Sequence, residues 1–265
     1  TNILAKIVDH KKIEVAERKT QMSIAQLEAM PLFNRGGNSL KLNLLNTALT
    51  GIIAEFKRQS PSKGIINDTA SVADVVNAYT KYGAAGISVL TDKTFFGGTI
   101  DDLSIAVKNP IPVLRKEFII DEYQLIEAKA YGASVILLIA ACLTPNTTHA
   151  LAKYAKSLGL EVLLEIHDAT ELGHISEAVD FVGINNRSLK SFDVNIEHSL
   201  ELKHQLPKGI LSIAESGIYS VETFNVLKKE GFDGFLMGEY FMKQADPAAA
   251  FEAFVTSIKT DNNAD

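Results

Sequence analysis

Charged and hydroxyl side chains follow directly on an apolar run in the stretch IIAEFKRQSPSKG. Glu55 and Lys57 end the run, and Ser60 follows three residues later. Residues two apart on a strand share one face, so the carboxylate and the ammonium would point the same way. Neighbouring groups of this kind can transfer protons, and ammonium and hydroxyl groups bind anions. Either these side chains face a small anionic molecule or they merely solvate a loop.

Polar side chains also end five later apolar runs of the chain. If these strands close into a barrel, the charged side chains point inward, where they are costly unless they are paired or take part in binding or catalysis. An accidental grouping is therefore the less favoured interpretation. Two lysines and two glutamates at one end of such a barrel would suit general acid–base catalysis. The residues at these ends are Arg115, Lys116, Glu117, Glu165, His167, Asn185, Asn186, Arg187, Glu215, Ser216, Gly217, Gly238 and Glu239.

Glycines at the last two of these ends, in AESGI and MGEYF, indicate a phosphate site. Gly217 and Gly238 permit close approach of an anion to the backbone. Barrels of eight parallel strands and helices frequently hold phosphate after the seventh and eighth strands. The phosphate is bound there by backbone N–H groups at the start of short helices. Each glycine alone is a weak signal, and the pair is a stronger one.

Eight apolar runs separated by helical patterns must position these residues. Most runs are continuous rather than alternating, which is typical of parallel strands covered on both faces. The prediction is an α/β fold, a (β/α)8 TIM barrel whose strands end at one common mouth. A doubly wound open sheet is the alternative, but no G-x-G-x-x-G follows the first run. The runs span residues 51–57, 85–91, 112–118, 134–140, 161–167, 181–187, 210–216 and 234–239, and the clearest helical patterns span 71–83, 121–132, 144–159, 220–231 and 246–259.

A helical N-terminal extension, residues 1–48, precedes the eight units, and we expect residues 1–265 to form a single barrel domain. Residues 2–19 have the pattern of an amphipathic helix. A second helix is predicted at 23–30, with Ser23 and Gln26 as a capping box. The spacing leaves open whether the extension plugs the bottom or side of the barrel or covers its mouth.

Composition restricts the class of protein. The net charge of −6 and the absence of long like-charge runs argue against a nucleic-acid or anionic membrane surface. The single cysteine, Cys142, allows no internal disulfide, and its apolar surroundings predict a buried core thiol. No signal peptide is recognisable, and the longest apolar run is too short to span a bilayer. We expect a cytoplasmic monomer without a metal site, because the helical histidines lack metal-ligand spacing: His10, His149, His174, His198 and His204.

Six strand-end motifs together resemble the indole-3-glycerol phosphate synthase family in order and spacing. They are IIAEFKRQSPSKG, VLRKEFIIDEYQ, LLEIHD, GINNRSL, AESGI and FLMGE, and the resemblance covers residues 50–243 and the extension. It implies a lyase of tryptophan biosynthesis that closes 1-(2-carboxyphenylamino)-1-deoxyribulose 5-phosphate to an indole, with loss of carbon dioxide and water. It also implies no metal and no organic cofactor, so the expected partner is a small phosphorylated substrate.

The resemblance assigns catalytic roles to five residues. Lys116 matches the general acid acting on the ketose carbonyl. Lys57 matches a second lysine near the substrate carboxylate, also an acid in the dehydration. Glu165 matches the general base, and Glu55 matches the glutamate that orients the lysines. Asn185 matches the residue that holds substrate hydroxyls.

The resemblance assigns binding roles to seven more residues. Phosphate and substrate positions match Ser60, Ser216, Gly217 and Gly238 with Glu239, and polar pocket positions match Arg187 and Glu215. Many members have serine where Glu239 stands, so we expect its carboxylate to point away from the phosphate, which it would otherwise repel.

Other interpretations stay open beside this one. If the protein were a Schiff-base aldolase that uses Lys116, borohydride added with the substrate would trap a covalent adduct on this lysine. Phosphoribosylanthranilate isomerase would need a cysteine on the first strand, and a non-catalytic sugar-phosphate barrel would not need the acid and base residues. Arg58 and Lys63 are expected to be solvated loop charges. The segments 60–68 and 91–99 are both candidates for a loop that closes the mouth.

Overall fold

The strands of the barrel are the eight predicted apolar runs, in chain order. The computed structural model describes residues 2–189 and 191–262. Each strand is parallel to the next one in sequence, and the last pairs with the first, which closes the barrel. The (β/α)8 TIM barrel is therefore confirmed. The strands are β1 (Ile52–Phe56), β2 (Gly86–Leu90), β3 (Val113–Lys116), β4 (Val135–Ile139), β5 (Glu161–Ile166), β6 (Phe181–Asn185), β7 (Leu211–Glu215) and β8 (Gly234–Met237).

Two apolar layers result from the alternation of side chains along each strand. One set packs against the surrounding helices, as Ile52, Ala54 and Phe56 of β1 do. The other set fills the barrel interior. Since residues two further along a strand continue the same face, interior residues lead directly to the polar residues at the mouth. The interior set includes Ile53, Leu114, Leu137, Leu163, Phe181, Ile213 and Leu236.

Helices cover the outside of the barrel between the strands. Their first turns carry side-chain caps, for example Ser71, whose side chain accepts a hydrogen bond from Asp74 N. The helices are α1 (Ile3–Gln21), α2 (Ile24–Glu28), α3 (Leu40–Leu45), α4 (Val72–Lys81), α5 (Ile100–Ala106), α6 (Glu122–Ala130), α7 (Pro145–Ser157), α8 (Ile196–Lys203), α9 (Val221–Lys229), α10 (Glu239–Met242) and α11 (Pro247–Asn262).

One connection departs from the expected series of uninterrupted strand–helix units. Between β5 and β6 the chain forms only a 3-10 helix, Ala169–His174. Asp168 caps this segment through Thr170 N, and Ile175 N bonds to Leu172 O three residues earlier. His174 is therefore in a 3-10 turn rather than in an α-helix as expected.

The N-terminal extension reaches both ends of the barrel, so both of its alternatives are realised. At the mouth, Ile3, Leu4 and Ile7 of α1 line a cavity. The predicted capping box of Ser23 and Gln26 is present at α2. At the opposite end, α3 follows the bottom of the barrel, where Glu161 at the start of β5 accepts a hydrogen bond from Leu40 N at 2.6 Å.

Candidate active site

One cavity at the carboxyl ends of the strands gathers almost all of the predicted site residues. Strand alternation puts Glu55, Lys116 and Glu165 at inward positions, each two residues beyond an interior apolar residue of its strand. Glu215 is the exception, because it lies fully buried beneath the cavity rather than in its lining. The predicted residues that line the cavity are Glu55, Lys57, Ser60, Lys116, Glu165, Asn185, Arg187, Ser216, Gly217, Gly238 and Glu239.

Glu55 of β1 is the centre of the charged group. Its carboxylate lies 3.1 Å from Lys116 Nζ and 3.8 Å from Lys57 Nζ, and it accepts a hydrogen bond of 2.7 Å from Ser88 Oγ. Burial alone would raise the pKa of Glu55, but the charges of Lys116 and Lys57 outweigh it and lower that pKa. Glu55 is therefore an ionised bridge between the two lysines.

The two lysines are placed in different electrostatic environments. Burial lowers the pKa of Lys57, and the charge of Lys116 adds to this effect against the attraction of Glu55. Burial also opposes the charge of Lys116, but Glu55, Glu215 and Glu165 outweigh it and raise the pKa of Lys116. Lys116 is thus held firmly as an ammonium ion, whereas Lys57 gives up its proton more readily.

Glu165 and Glu215 are neighbouring carboxyl groups that influence each other's charge. Burial, with the nearby charge of Glu165, raises the pKa of Glu215 well above its ordinary value. Glu215 therefore keeps its proton to a higher pH than an ordinary glutamate, while Glu165 lines the cavity. Gly183 makes room for the Glu215 side chain, because a Cβ at that glycine would collide with the carboxyl group.

His167 also approaches Glu165, with Nε2 at 3.6 Å from the carboxylate. It was recognised in the sequence as a strand-end residue but was not predicted as a site residue. Burial lowers the pKa of His167, but the carboxylates of Glu171, 3.7 Å from Nδ1, and of Glu165 outweigh burial and raise it.

The chain turns sharply after β7, where the sequence predicts a phosphate site. Ser216 and Gly217 have φ values of 67° and 74°, in the left-handed region that favours glycine. A Cβ at Gly217 would lie 2.5 Å from Val194, and one at Gly238 would lie 2.7 Å from the Glu55 side chain. Both glycines are thus required by close packing, in addition to any approach of an anion.

Glu239 lies at the rim of the cavity among three polar neighbours. Its carboxylate is 3.4 Å from Arg187 Nη2, 3.3 Å from Tyr219 OH and 3.8 Å from Lys63 Nζ. Arg187 N in turn donates to Asn185 Oδ1 at 2.9 Å. These contacts direct the carboxylate toward cations, and its orientation relative to a phosphate stays a prediction.

Apolar residues that were not predicted as site residues form one wall of the cavity, which we call the aromatic wall. Phe96, from the loop after β2, and Phe118, just after β3, have ring centroids 5.8 Å apart. Ile3, Leu4 and Ile7 of α1 also line the cavity and belong to the same apolar cluster as the two rings. The adjacent phenylalanines in TDKTFFGGT were the available signal, but an aromatic side chain in a loop is equally consistent with ordinary packing.

Two expectations about single residues need correction. Arg58 is not a solvated loop charge: its guanidinium donates to both oxygens of Asp102, with Nη2 at 2.9 Å from Oδ1, and stacks 5.0 Å from the Phe56 ring centroid. Cys142 is half-buried rather than fully buried, at the end of a 3-10 turn after β4. Burial raises the pKa of its thiol to about 12, so the thiol is protonated at neutral pH.

No cluster of three or more histidine, cysteine, aspartate or glutamate residues in the described part of the chain could hold a metal ion. Within residues 2–189 and 191–262, no helix is both long and apolar enough to cross a bilayer.

The fold and the cavity together define a barrel enzyme with acid–base side chains at the mouth. A sequence model of the family described as indole-3-glycerol phosphate synthase matches residues 4–254. The chain therefore belongs to the indole-3-glycerol phosphate synthase family, and the expectation of a carboxy-lyase of tryptophan biosynthesis is confirmed at the level of the family.

Individual relatives carry the same name. The indole-3-glycerol phosphate synthase of Bacteroides thetaiotaomicron is 44% identical over 261 residues, which is 97% of this chain and 99% of that relative. The protein of that name from an Exiguobacterium species is 47% identical over 224 residues, covering 83% of this chain and 88% of the relative.

Solved structures agree on the fold alone. The alpha subunit of tryptophan synthase from Legionella pneumophila superposes with a TM-score of 0.62 at 14% identity, covering 85% of this chain and 99% of that subunit. A mandelate oxidase variant superposes with a TM-score of 0.60 at 13% identity, covering 79% of this chain and 72% of the oxidase.

Proposed function

We propose that this protein is an indole-3-glycerol phosphate synthase. Its substrate would be 1-(2-carboxyphenylamino)-1-deoxyribulose 5-phosphate, and its products indole-3-glycerol phosphate, carbon dioxide and water. The observation that carries this proposal is one cavity that is lined by Lys57, Lys116, Glu55 and Glu165 together with two phenylalanines and two glycine turns. Such a cavity offers an apolar surface for an aryl ring, acid–base groups for the ketose, and backbone N–H groups for a phosphate.

Lys116 acts first in the proposed reaction. As the ring carbon that carries the carboxylate attacks the ketose carbonyl, Lys116 gives a proton to the carbonyl oxygen, which becomes a hydroxyl group. The Glu55 carboxylate lies 3.1 Å from Lys116 Nζ and keeps this ammonium group in position. Carbon dioxide then leaves, and the electrons of the broken carbon–carbon bond restore the aromatic ring.

The second half of the proposed reaction is a dehydration. Lys57, whose pKa is lowered by burial, is the better acid of the two lysines and protonates the departing hydroxyl group. Glu165 accepts the proton released when the new carbon–carbon double bond forms. Asn185 orients the sugar hydroxyls, and no outside oxidant or reductant is needed.

Phosphate binding is proposed at the ends of β7 and β8. Ser60, Ser216, Gly217, Gly238 and Glu239 surround this part of the cavity. Arg187 lies beside it and supplies positive charge, although Glu239 already faces its guanidinium.

Lys116 supports acid catalysis better than Schiff-base formation. A Schiff base requires a neutral amine at the moment of attack. Three carboxyl groups raise the pKa of Lys116, which keeps it protonated. Borohydride with substrate is therefore expected to trap no covalent adduct on this residue.

The decisive experiment follows indole formation by fluorescence with purified protein and the carboxyphenylamino-deoxyribulose phosphate. The chain has no tryptophan, so the product signal has little background. Lys116→Met is expected to lower kcat by about 10²- to 10⁴-fold while the circular dichroism spectrum stays unchanged. Lys156→Met is the matched control, because Lys156 pairs with Asp180 outside the cavity. A folded wild-type protein that forms no indole would refute the proposal.

A single-domain monomer in the cytoplasm remains our expectation for the working form of the enzyme. The net charge of −6 supports solubility rather than attachment to nucleic acid or an anionic membrane. Equilibrium sedimentation at micromolar concentration would test the monomeric state.

A further inference from the structure

We propose that Lys11 of α1 is a positioning residue that sets the aromatic wall of the cavity and thereby the binding of the substrate's aryl ring. This inference rests on the proposed function. Lys11 lies outside the cavity lining, and neither the sequence motifs nor the proposed reaction uses it.

Lys11 joins three separate elements through one buried ammonium group. Its Nζ lies 2.8 Å from Asp92 after β2, 2.8 Å from Glu117 after β3 and 2.8 Å from Glu14 on its own helix. The side chains of Lys11, Asp92 and Glu117 are each no more than 1% exposed. In such a site, the ammonium cannot leave either carboxylate without leaving a buried charge unpaired.

Both partner carboxylates also hold the backbone of an aromatic residue. Asp92 Oδ1 accepts hydrogen bonds from Phe95 N at 2.7 Å and from Phe96 N at 3.3 Å. Glu117 Oε1 accepts one from Phe118 N at 2.9 Å. A displacement of either carboxylate therefore moves the backbone that carries one ring of the aromatic wall.

The part of the cavity lining that α1 contributes is tied to the same ammonium group. Ile7 lines the cavity one helical turn before Lys11 on α1. Lys11 consequently fixes the distance between the helix that carries Ile7 and the loops that carry Phe96 and Phe118. The apolar residues of α1 and of these two loops form one cluster at the cavity, against which a planar aryl ring can pack.

The chain offers a matched control on the same helix. Arg18 anchors α1 to Glu127 of α6 with Nη2 and Oε2 2.5 Å apart, and neither residue lines the cavity. If α1 only needs to be attached, removal of Arg18 should affect the enzyme as strongly as removal of Lys11.

The test compares Lys11→Met, Asp92→Asn and Arg18→Met with the wild type. Asp92→Asn keeps the Oδ1 acceptor for the loop but removes the charge that faces Lys11. For each protein we would measure kcat and KM with the substrate, and the inhibition constant of a pentulose 5-phosphate that lacks the aryl ring.

In Lys11→Met, KM is expected to rise about tenfold or more, because small displacements of a binding wall are costly. The inhibition constant of the ring-free phosphate should stay within about twofold, and Arg18→Met should leave both constants near wild type. Asp92→Asn should raise KM by a smaller factor. Lys11→Arg, which restores the charge, should recover part of the loss.

Equal weakening of both ligands in Lys11→Met, or equal effects of Arg18→Met, would overturn the inference and leave Lys11 as a stabilising residue only. If Lys11→Met does not fold, Asp92→Asn decides: a wild-type KM in that variant would also overturn it. The wild type is assayed first, because absence of indole there refutes the proposed function rather than the role of Lys11.

Discussion

Two clusters of buried charge lie on opposite faces of β3 and the residue after it. The cavity cluster consists of Glu55, Lys57, Lys116, Glu165 and Glu215. The helix-side cluster consists of Lys11, Asp92, Arg115, Glu117 and Glu127. Because strand residues alternate, Lys116 points into the barrel, while its neighbours Arg115 and Glu117 point toward α1 and α6.

The cations of the two clusters differ in how completely they are paired. In the helix-side cluster, Lys11 and Arg115 lie 2.8 and 2.7 Å from carboxylate oxygens and are 1% exposed. In the cavity cluster, the shortest such distances are 3.1 Å for Lys116 and 3.8 Å for Lys57, and these side chains are 21% and 17% exposed. Cations that are partly exposed and loosely paired can bind a substrate, whereas cations that are buried and closely paired stabilise the fold.

The largest expected contrast is between Lys116→Met and Arg115→Met, adjacent residues that belong to different clusters. Lys116→Met should abolish most activity and leave stability nearly unchanged. Arg115→Met removes a fully buried cation from Glu127, which keeps only its contact with the partly exposed Arg18, and should cost about 3–5 kcal/mol of unfolding free energy. Urea titrations beside kcat measurements test both. If Arg115→Met lowers kcat per folded molecule as strongly as Lys116→Met, the separation of the clusters is wrong.

Glu117→Gln should expose the pH dependence of the helix-side cluster. Burial alone would raise the pKa of Glu117, but Lys11 and Arg115 outweigh it and lower that pKa. A carboxyl group with a lowered pKa stabilises the fold above its unfolded pKa of about 4.3 and loses that contribution as the pH falls. The variant should be less stable at pH 7 by about 3 kcal/mol, and the difference should shrink toward pH 3.

The control for this experiment is Glu122→Gln at the exposed start of α6. Its unfolding free energy should follow that of the wild type across the same pH range. A constant deficit of Glu117→Gln at all pH values would show that packing, rather than charge, explains the loss.

Glu215→Gln should have the opposite pH dependence, although Glu215 is as buried as Glu117. Its pKa is raised by burial and by Glu165, so its favourable contribution is present below the unfolded pKa and is lost as the pH rises through the folded pKa. An amide cannot ionise, so the variant should gain stability relative to the wild type as the pH is raised. Chemical denaturation at pH 6 and pH 9 tests this, and a larger gain at pH 6 would contradict it.

Glu239→Gln is expected to have the smallest effect. Glu239 lies at the rim with 17% of its side chain exposed, where ion pairs contribute about 0–1 kcal/mol. Removing a negative charge near the phosphate site should lower KM by up to about threefold and leave kcat unchanged. Steady-state kinetics at two salt concentrations would measure this. A rise in KM would mean that Glu239 orients Arg187 instead.

Hydrogen bonds hold both of the candidate closing loops in place. The loop after β2 is bonded to Asp92 at Phe95 N and Gly98 N, and Arg58 donates to Gly97 O. The loop after β1 contains a short hairpin of Gln59–Ser60 and Gly64–Ile65 whose second strand is exposed, and its Asn67 side chain donates to Met242 O. Since Arg58 belongs to the loop after β1, its hydrogen bond to Gly97 O ties the two loops together.

Much of the cavity followed from sequence because it depends on local rules. The alternation of strand residues placed Glu55 with Lys57 on one face, and the continuous apolar runs indicated parallel strands. The eight runs, the capping box at Ser23 and the mouth at the strand ends were predicted on this basis. The roles of individual site residues also came from the sequence, through the family resemblance, and they stay proposals.

Contacts between distant parts of the chain decided the rest. Lys11 is more than eighty residues before Asp92 and more than one hundred before Glu117, and no local pattern connects them. Glu215 falls beneath the cavity because Gly183 leaves space on the neighbouring strand. The sequence pattern predicted α1 as an amphipathic helix, but only packing determined that its buried residues include Lys11 and that Ile3, Leu4 and Ile7 line the mouth. Sequence periodicity specifies the direction of a side chain within its own element, whereas its neighbours depend on how the elements assemble.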